Sequence, residues 1–453
     1  MNKIDQGRRH GVGACYTIFK GYLRFLHDKL YYRRTYVINR EAVPEAGTPL
    51  MIVSNHQNCL NDAFGILFNI NDRKTRFITR GDVFALSPLA AKFLYSIGLL
   101  PSFRLEHEGA EKVEKNKDVF RVSEQALIDG NTIMMFPEAG HQDRRWLGKF
   151  TYGYTRLAFE AAEMGGFEKD VLILPSCNHY SDYFGIRNDF MVKFGTPISL
   201  KPYYELYKTR PRTAQREVNR LVREQIQGMM LDIRDLEHYN EIDFLRNTYG
   251  IDYACARGFN PDILPQKLES DKELVALIDS ASDERKEKLF QDTAELMKGI
   301  RETGIADRNL EKEPGTAATF LKCIGMALLL PVWIVNLWPA LPTYLIAIAL
   351  SKKMKDRMFE GTFLFAISAL FTIPIFSIAD FMIVCSIANW WVALIYVVVS
   401  LLLAIAAWKY AMKLRDLFQD IRYCMKRNGS GMSALKRLRE KIHSELNAIV
   451  LNQ

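Results

Sequence analysis

Pro49-Leu-Met-Ile-Val-Ser-Asn-His-Gln-Asn-Cys-Leu-Asn-Asp62 is the stretch from which the fold can be read outward. Its apolar opening, Pro49 to Val53, follows a turn at Glu45-Ala-Gly-Thr48 and has the length of a buried strand. Ala63-Phe-Gly-Ile-Leu-Phe68 behind it predicts a helix. His56 and Asp62 therefore stand where a strand hands over to a helix, a place where side chains project from a rigid scaffold. A neutral His beside a carboxylate can take a proton from an alcohol, because the carboxylate fixes the tautomer and stabilises the imidazolium. On this stretch alone the alternative is a His that satisfies backbone groups in a turn and an Asp that caps a helix.

Outward from it, short apolar runs alternate with helical ones. Strands are expected near 36–38, 50–53, 76–78, 99–103, 132–136, 171–174 and 190–194, and helices near 59–70, 85–96, 117–129, 150–164 and 214–232. That alternation predicts an α/β class with a mixed, partly parallel sheet covered by helices, its site at strand ends. Three further strand ends carry polar chemistry. They are Ile97 to Arg104, Met135-Phe-Pro-Glu-Ala-Gly-His-Gln-Asp-Arg-Arg145, and Ile173-Leu-Pro-Ser-Cys-Asn-His179. In the second, Pro and Gly set a turn and two arginines offer the fork geometry that suits phosphate. His179 stands alone and reads as structural.

Composition narrows the class. The chain has 453 residues, enough for two or three domains, and a net charge of +8. The basic excess suits an anionic substrate or membrane surface and is too diffuse to indicate nucleic acid. Seven scattered cysteines without a C-x-x-C pair argue against a disulfide framework or a zinc site. No secretory signal opens the chain. Instead Ile18, Phe19, Tyr22, Leu23, Leu26 and Leu30 recur at helical spacing, so residues 1–35 are expected to hold an amphipathic helix lying in a membrane interface. The same pattern would serve a helix packed on the protein.

The remainder divides by character. Residues 36–205 hold the alternating pattern, 206–315 read as a helical appendage of mixed charge, and 316–410 as a membrane domain. Within the last, 361–408 are expected to form a transmembrane hairpin turning at Asn389-Trp-Trp391, with Asp380 inside its first span. Residues 317–350 are interrupted by Pro331, Pro339 and Pro342 and are expected to break into a re-entrant pair. Residues 411–453 read as a basic amphipathic tail resting on headgroups. Basic flanks at 352–357 and in the tail put the catalytic domain on the cytoplasmic side of a cell membrane.

Taken together, the motifs resemble the glycerolipid acyltransferase family, which includes the glycerol-3-phosphate and lysophosphatidic acid acyltransferases. Its four blocks match, in order, Asn55-His56…Asp62, Gly98…Pro101…Arg104, Phe136-Pro137-Glu138-Ala139-Gly140 and Leu174-Pro175. Two departures stand out. Five residues separate His56 from Asp62 where four are common, a spacing similar to that of a branch acting on glycerol 3-phosphate and dihydroxyacetone phosphate. Ala139 replaces the usual Gly. The resemblance implies a glycerol-3-phosphate acyltransferase-like fold and His56 and Asp62 as the catalytic pair. It also implies Arg104, Arg144 and Arg145 on the acceptor phosphate, with Glu138 and Gly140 positioning the glycerol. The implied partners are an acyl-CoA or acyl carrier protein donor, a glycerol-phosphate acceptor and a lipid bilayer. A thioester already carries the energy of transfer, so no metal or other cofactor is expected. An acyltransferase for another lyso-lipid and a catalytically silent membrane scaffold are the competing readings.

Overall fold

The structure, a computed structural model, describes residues 14–70, 75–80, 88, 91–92, 95, 98–102, 110–138, 140, 144–353 and 358–451. They fall into two compact units. One comprises Met1–Asp232 with Asp356–Thr362, the other Ile233–Lys355 with Phe363–Gln453.

In the first unit the strands are β1 (Arg34–Ile38), β2 (Leu50–Ser54), β3 (Thr75–Arg80), β4 (Leu99–Ser102), β5 (Thr132–Met135), β6 (Leu172–Tyr180), β7 (Asp189–Phe194) and β8 (Ile198–Ser199). They form one sheet in the order β1-β7-β6-β2-β5-β3-β4, with β8 paired to β6. β2 runs parallel to both neighbours, and only β6 makes antiparallel pairs, with β7 and β8. All five residues of β2 are buried, which is why it reads as a continuous apolar run. The expected mixed, mostly parallel sheet is therefore present.

Alternation along β2 splits its side chains between two layers. Met51 and Val53 join Ile133, Leu157, Phe159, Val218, Val222 and Ile226 in the main core, so helices α3 (Gly153–Met164) and α4 (Pro211–Met229) cover that face. Helix α2 (Cys59–Leu67) packs against β7, and Gly65 lets it approach: a Cβ there would collide with the Phe190 ring. The opening helix α1 (Ala14–Phe25) runs into a π-helical turn, Leu26–Tyr31, whose buried His27 stands edge-on to Phe68 and Phe190.

Three sequence expectations need correction. The catalytic fold does not end at 205: α4 buries Val218, Val222 and Ile226 in the sheet's core, so the first unit continues to Asp232. The helix within 1–35 is only partly an exposed amphipath. Ile18 and Phe25 are exposed, but Leu23, Leu26 and Tyr31 are buried, and β1 already begins at Arg34. β6 does not leave the sheet at Pro175; Pro175 lies opposite Val53, and from Ser176 the strand changes partner to β7. A residue without an N–H suits such a changeover. The expected helix at 85–96 lies mostly outside the described residues.

The second unit is helical. Among the described residues three helices are long and apolar enough to cross a membrane, with candidate spans at Thr316–Ile334, Phe359–Ile387 and Trp390–Lys426, the middle one opening in the first unit. The expected break at the prolines is absent, because Thr316–Ser351 is one continuous helix. A proline removes one backbone bond, and packing against a neighbour can hold the helix through it. Here Trp333 Nε1 donates to Ala407 O (3.1 Å), Tyr410 OH donates to Met326 O (2.7 Å), and the two rings stack. The basic tail is not left to the headgroups. Helix Ser430–Leu451 buries Met432, Ile442, Leu446 and Ile449, while Arg439 pairs with Asp307 (3.0 Å) and Lys441 with Asp292 (2.7 Å).

Gly65→Ala should destabilise the protein by about 1–3 kcal/mol, the usual cost of overpacking, and Gly65→Ala/Phe190→Leu should recover part of it. Thermal melts read both, and a single variant as stable as wild type would contradict the close approach of α2.

Candidate active site

β2 and β5 run in register with Val53 opposite Met135, so three residues further His56 comes level with Glu138. The structure brings these two together with Asp62. His56 Nδ1 lies 2.9 Å from Asp62 Oδ2, and Phe136 stacks on the imidazole at 4.1 Å between centroids. The same Asp62 oxygen accepts from the amides of Gln57 (2.8 Å) and Asn58 (2.7 Å), and Oδ1 accepts from Tyr180 OH (2.6 Å). Asp62 is fully buried, whereas the His56 side chain keeps 15% exposure. A carboxylate with these donors has acceptor oxygens only, so Nδ1 carries the proton and Nε2 is the ring nitrogen with the lone pair.

Asn61 does not share this role. It is buried, and its amide donates to Asn58 Oδ1 (3.3 Å). The five-residue spacing therefore puts Asp62 on the imidazole.

Glu138 holds backbone. Oε1 accepts from the His56 amide (2.8 Å) and Oε2 from the Gly148 amide (2.8 Å). Arg223 of α4 secures the same loop by donating to Leu147 O and Gly148 O. Burial pushes the Glu138 carboxyl up to about 7, against the pull of the two amides, and the Asp62 charge adds to the rise. Burial likewise raises the Tyr180 phenol far above its ordinary value, which keeps it a donor to Asp62.

The other expected site residues fall differently. Arg145 is buried, donates to Ser181 O (3.1 Å) and lies 4.8 Å from the Tyr183 ring centroid. Arg144 is half-buried and its carbonyl accepts from Gln57 Nε2 (3.2 Å). Gly140 has open space where a Cβ would stand. Arg104 and Ala139 lie outside the described residues.

Several contributors stand in or near the motifs without a role legible in the sequence. Asn55 forms a two-bond pair with the backbone of Asn178, accepting from its N–H (2.8 Å) and donating to its carbonyl (3.0 Å). Tyr183 OH donates to Gln57 Oε1 (2.8 Å). Asn178 and Tyr180 share one face of β6, and both reach Asp62; His179 between them faces the other way.

Residues 34–178 match the family model described as Acyltransferase. A solved structure, that of the 1-acyl-sn-glycerophosphate (LPA) acyltransferase PlsC from Thermotoga maritima, is similar at 17% identity and a TM-score of 0.31, over 46% of this chain and 79% of that one. No curated protein matches the chain.

Glu138→Gln places an amide NH₂ opposite one of two backbone N–H groups. If Glu138 acts by holding His56, kcat should fall on the order of 10-fold or more while KM for the acceptor stays put. A raised acceptor KM at unchanged kcat would return Glu138 to the substrate. Asp62→Asn should cost far more than Asn61→Ala, on the scale of about 10⁴ seen when a triad carboxylate is neutralised elsewhere.

Proposed function

Taking residues 34–178 as an acyltransferase-family domain, we propose that this enzyme moves a fatty acyl group from a thioester, acyl-CoA or acyl carrier protein, to a hydroxyl of a glycerol-phosphate acceptor. Glycerol 3-phosphate, dihydroxyacetone phosphate and lysophosphatidic acid are the candidate acceptors. The observation that carries the mechanism is the 2.9 Å bond from His56 Nδ1 to Asp62 Oδ2. His56 Nε2 takes the acceptor's hydroxyl proton as its oxygen attacks the thioester carbon. The new C–O bond forms, the C–S bond breaks, and the imidazolium returns its proton to the leaving thiolate. Asp62 keeps its charge throughout and balances the imidazolium. General base assistance of this kind is worth on the order of 10²–10⁴-fold.

Arg104 and Arg144 are assigned to the acceptor's phosphate, and Gly140 to the space beside it. Arg145, buried against Tyr183, serves the loop that carries them. With purified enzyme and a panel of the three acceptors, at least one should be acylated, and His56→Ala should leave less than about a tenth of that turnover. Arg144→Ala should raise KM for the acceptor more than for the donor, since a charge-assisted bond is worth about 1.5–3 kcal/mol. Equal effects on both substrates would remove Arg144 from the phosphate, and a panel with no product would sink the reading as a whole.

The catalytic unit is assigned to the cytoplasmic side, with no net crossing by the Thr316–Ser351 helix. Support comes from the first unit itself: Tyr31 OH donates to Gly361 O (3.0 Å) and Thr362 Oγ1 to Asn58 O (3.1 Å), so the chain is back at the catalytic unit when the Phe359–Ile387 span opens. No candidate span lies between residues 233 and 315 among the described residues. In a variant lacking native cysteines, a probe at Lys353 should resist an impermeant thiol reagent on intact cells. Labelling there would overturn the assignment.

A further inference from the structure

The turn joining His56 to Asp62 is held in a costly shape. Asn58 adopts φ −145, ψ 43, and Cys59 takes φ +47, in the left-handed region. A non-glycine residue there is strained and persists only where its surroundings over-determine it. Asp62 supplies part of that restraint through the Gln57 and Asn58 amides. The rest comes from residues remote in sequence. Thr362, 2% exposed, donates to the Asn58 carbonyl (3.1 Å). Asn58 Nδ2 donates to Tyr183 O (3.2 Å), and Tyr31 OH reaches the neighbouring Gly361 carbonyl (3.0 Å). Gly361 sits where a side chain would crowd two of them: a Cβ would stand 3.1 Å from Tyr31 Oη and 3.3 Å from Asn58 Oδ1, with Tyr183 O at an ordinary contact distance of 3.6 Å.

We infer that Gly361 and Thr362, with Tyr31 and Tyr183, form a clamp that positions the Asn58–Cys59 turn and through it the His56–Asp62 pair. All four lie outside the stretch 34–178 that matches the acyltransferase model and that holds the Asn58–Cys59 turn; they are positioning residues and touch no reacting atom. Gly361 and Thr362 are also the opening residues of the Phe359–Ile387 candidate span. The geometry of the base is thereby tied to the first turn of a membrane anchor, which gives the anchor a part in turnover beyond tethering. The consequence for turnover rests on His56 acting as the base.

The test uses the full chain with Thr362→Val, Thr362→Ser and Tyr31→Phe, read by kinetics and by hydrogen–deuterium exchange of the 55–62 peptide. Thr362→Val keeps the shape and removes the donor. It should lower kcat on the order of 10-fold, as a small misplacement of a catalytic group does, with both KM values unchanged and exchange accelerated at 55–62 alone. Thr362→Ser should restore both, and Tyr31→Phe should fall between. Wild-type kcat and exchange in Thr362→Val would overturn the clamp. So would exchange accelerated across the whole first unit, or serine performing no better than valine. If no acceptor is acylated by the wild type, the functional reading fails, and the local exchange alone decides the clamp.

Discussion

A single buried carboxylate organises the first unit. Asp62 is fully buried, and an unpaired charge there would cost several kcal/mol. Four donors meet it: the His56 ring, the amides of Gln57 and Asn58, and the Tyr180 hydroxyl, all within 2.6–2.9 Å. Each comes from a different kind of constraint. The ring is aimed by Phe136, the amides by the strained turn, and the hydroxyl by a strand that changes sheet partner just before reaching the site. Satisfying Asp62 therefore fixes β2, α2 and β6 relative to one another. The imidazole, which stays partly exposed, is the member of this shell that can do chemistry.

Glu138 repeats the device with the opposite emphasis. Its two oxygens hold the backbone of His56 and Gly148, so it braces the peptide beneath the ring while Asp62 holds the ring itself. Burial is why its carboxyl rises to about 7, against the pull of the two amides and of Arg223, which donates to the Gly148 carbonyl. Two carboxylates thus divide the work of holding one histidine.

Much of this was legible in the sequence because it is local. A buried strand, a polar turn and a helix within Pro49–Phe68 announce a strand-end site, and parallel pairing between β2 and β5 then brings Phe136 and Glu138 alongside. What stayed hidden depends on pairing at long range. β6 looked finished at Pro175 because nothing in the local pattern says that the strand continues against β7, and so Tyr180 carried no signal. Arg144 and Arg145 look alike in sequence, yet Tyr183 and the Ser181 carbonyl bury only the second. The prolines of 331–342 weigh against a continuous helix in isolation, but the partner helix is 70 or more residues away. Gly361 and Thr362 sit in an apolar run whose composition says only membrane.

The place of the site follows from the order of the sheet. β2 lies at its centre with β6 on one side and β5 on the other, while the chain preceding it comes from β1 and the chain after it goes on to β3. The chain leaves β2 toward β3 and leaves its neighbour β6 toward β7, in opposite directions, and the crevice at the carboxyl ends of strands whose connections diverge is where such sheets bind their ligands. The three strands that end at this crevice contribute His56, Glu138 and Tyr180 in turn. In a uniformly parallel sheet the chain would quit the sheet at the end of each strand, and position 180 would lie in a connection. The changeover of β6 to an antiparallel partner keeps the strand running past the crevice, so that a strand residue, with its orientation set by the pleat, can close the shell around Asp62. The antiparallel turn-back of β6 and β7 is thus the feature of the fold that lets a buried charge stand at a parallel sheet's open end.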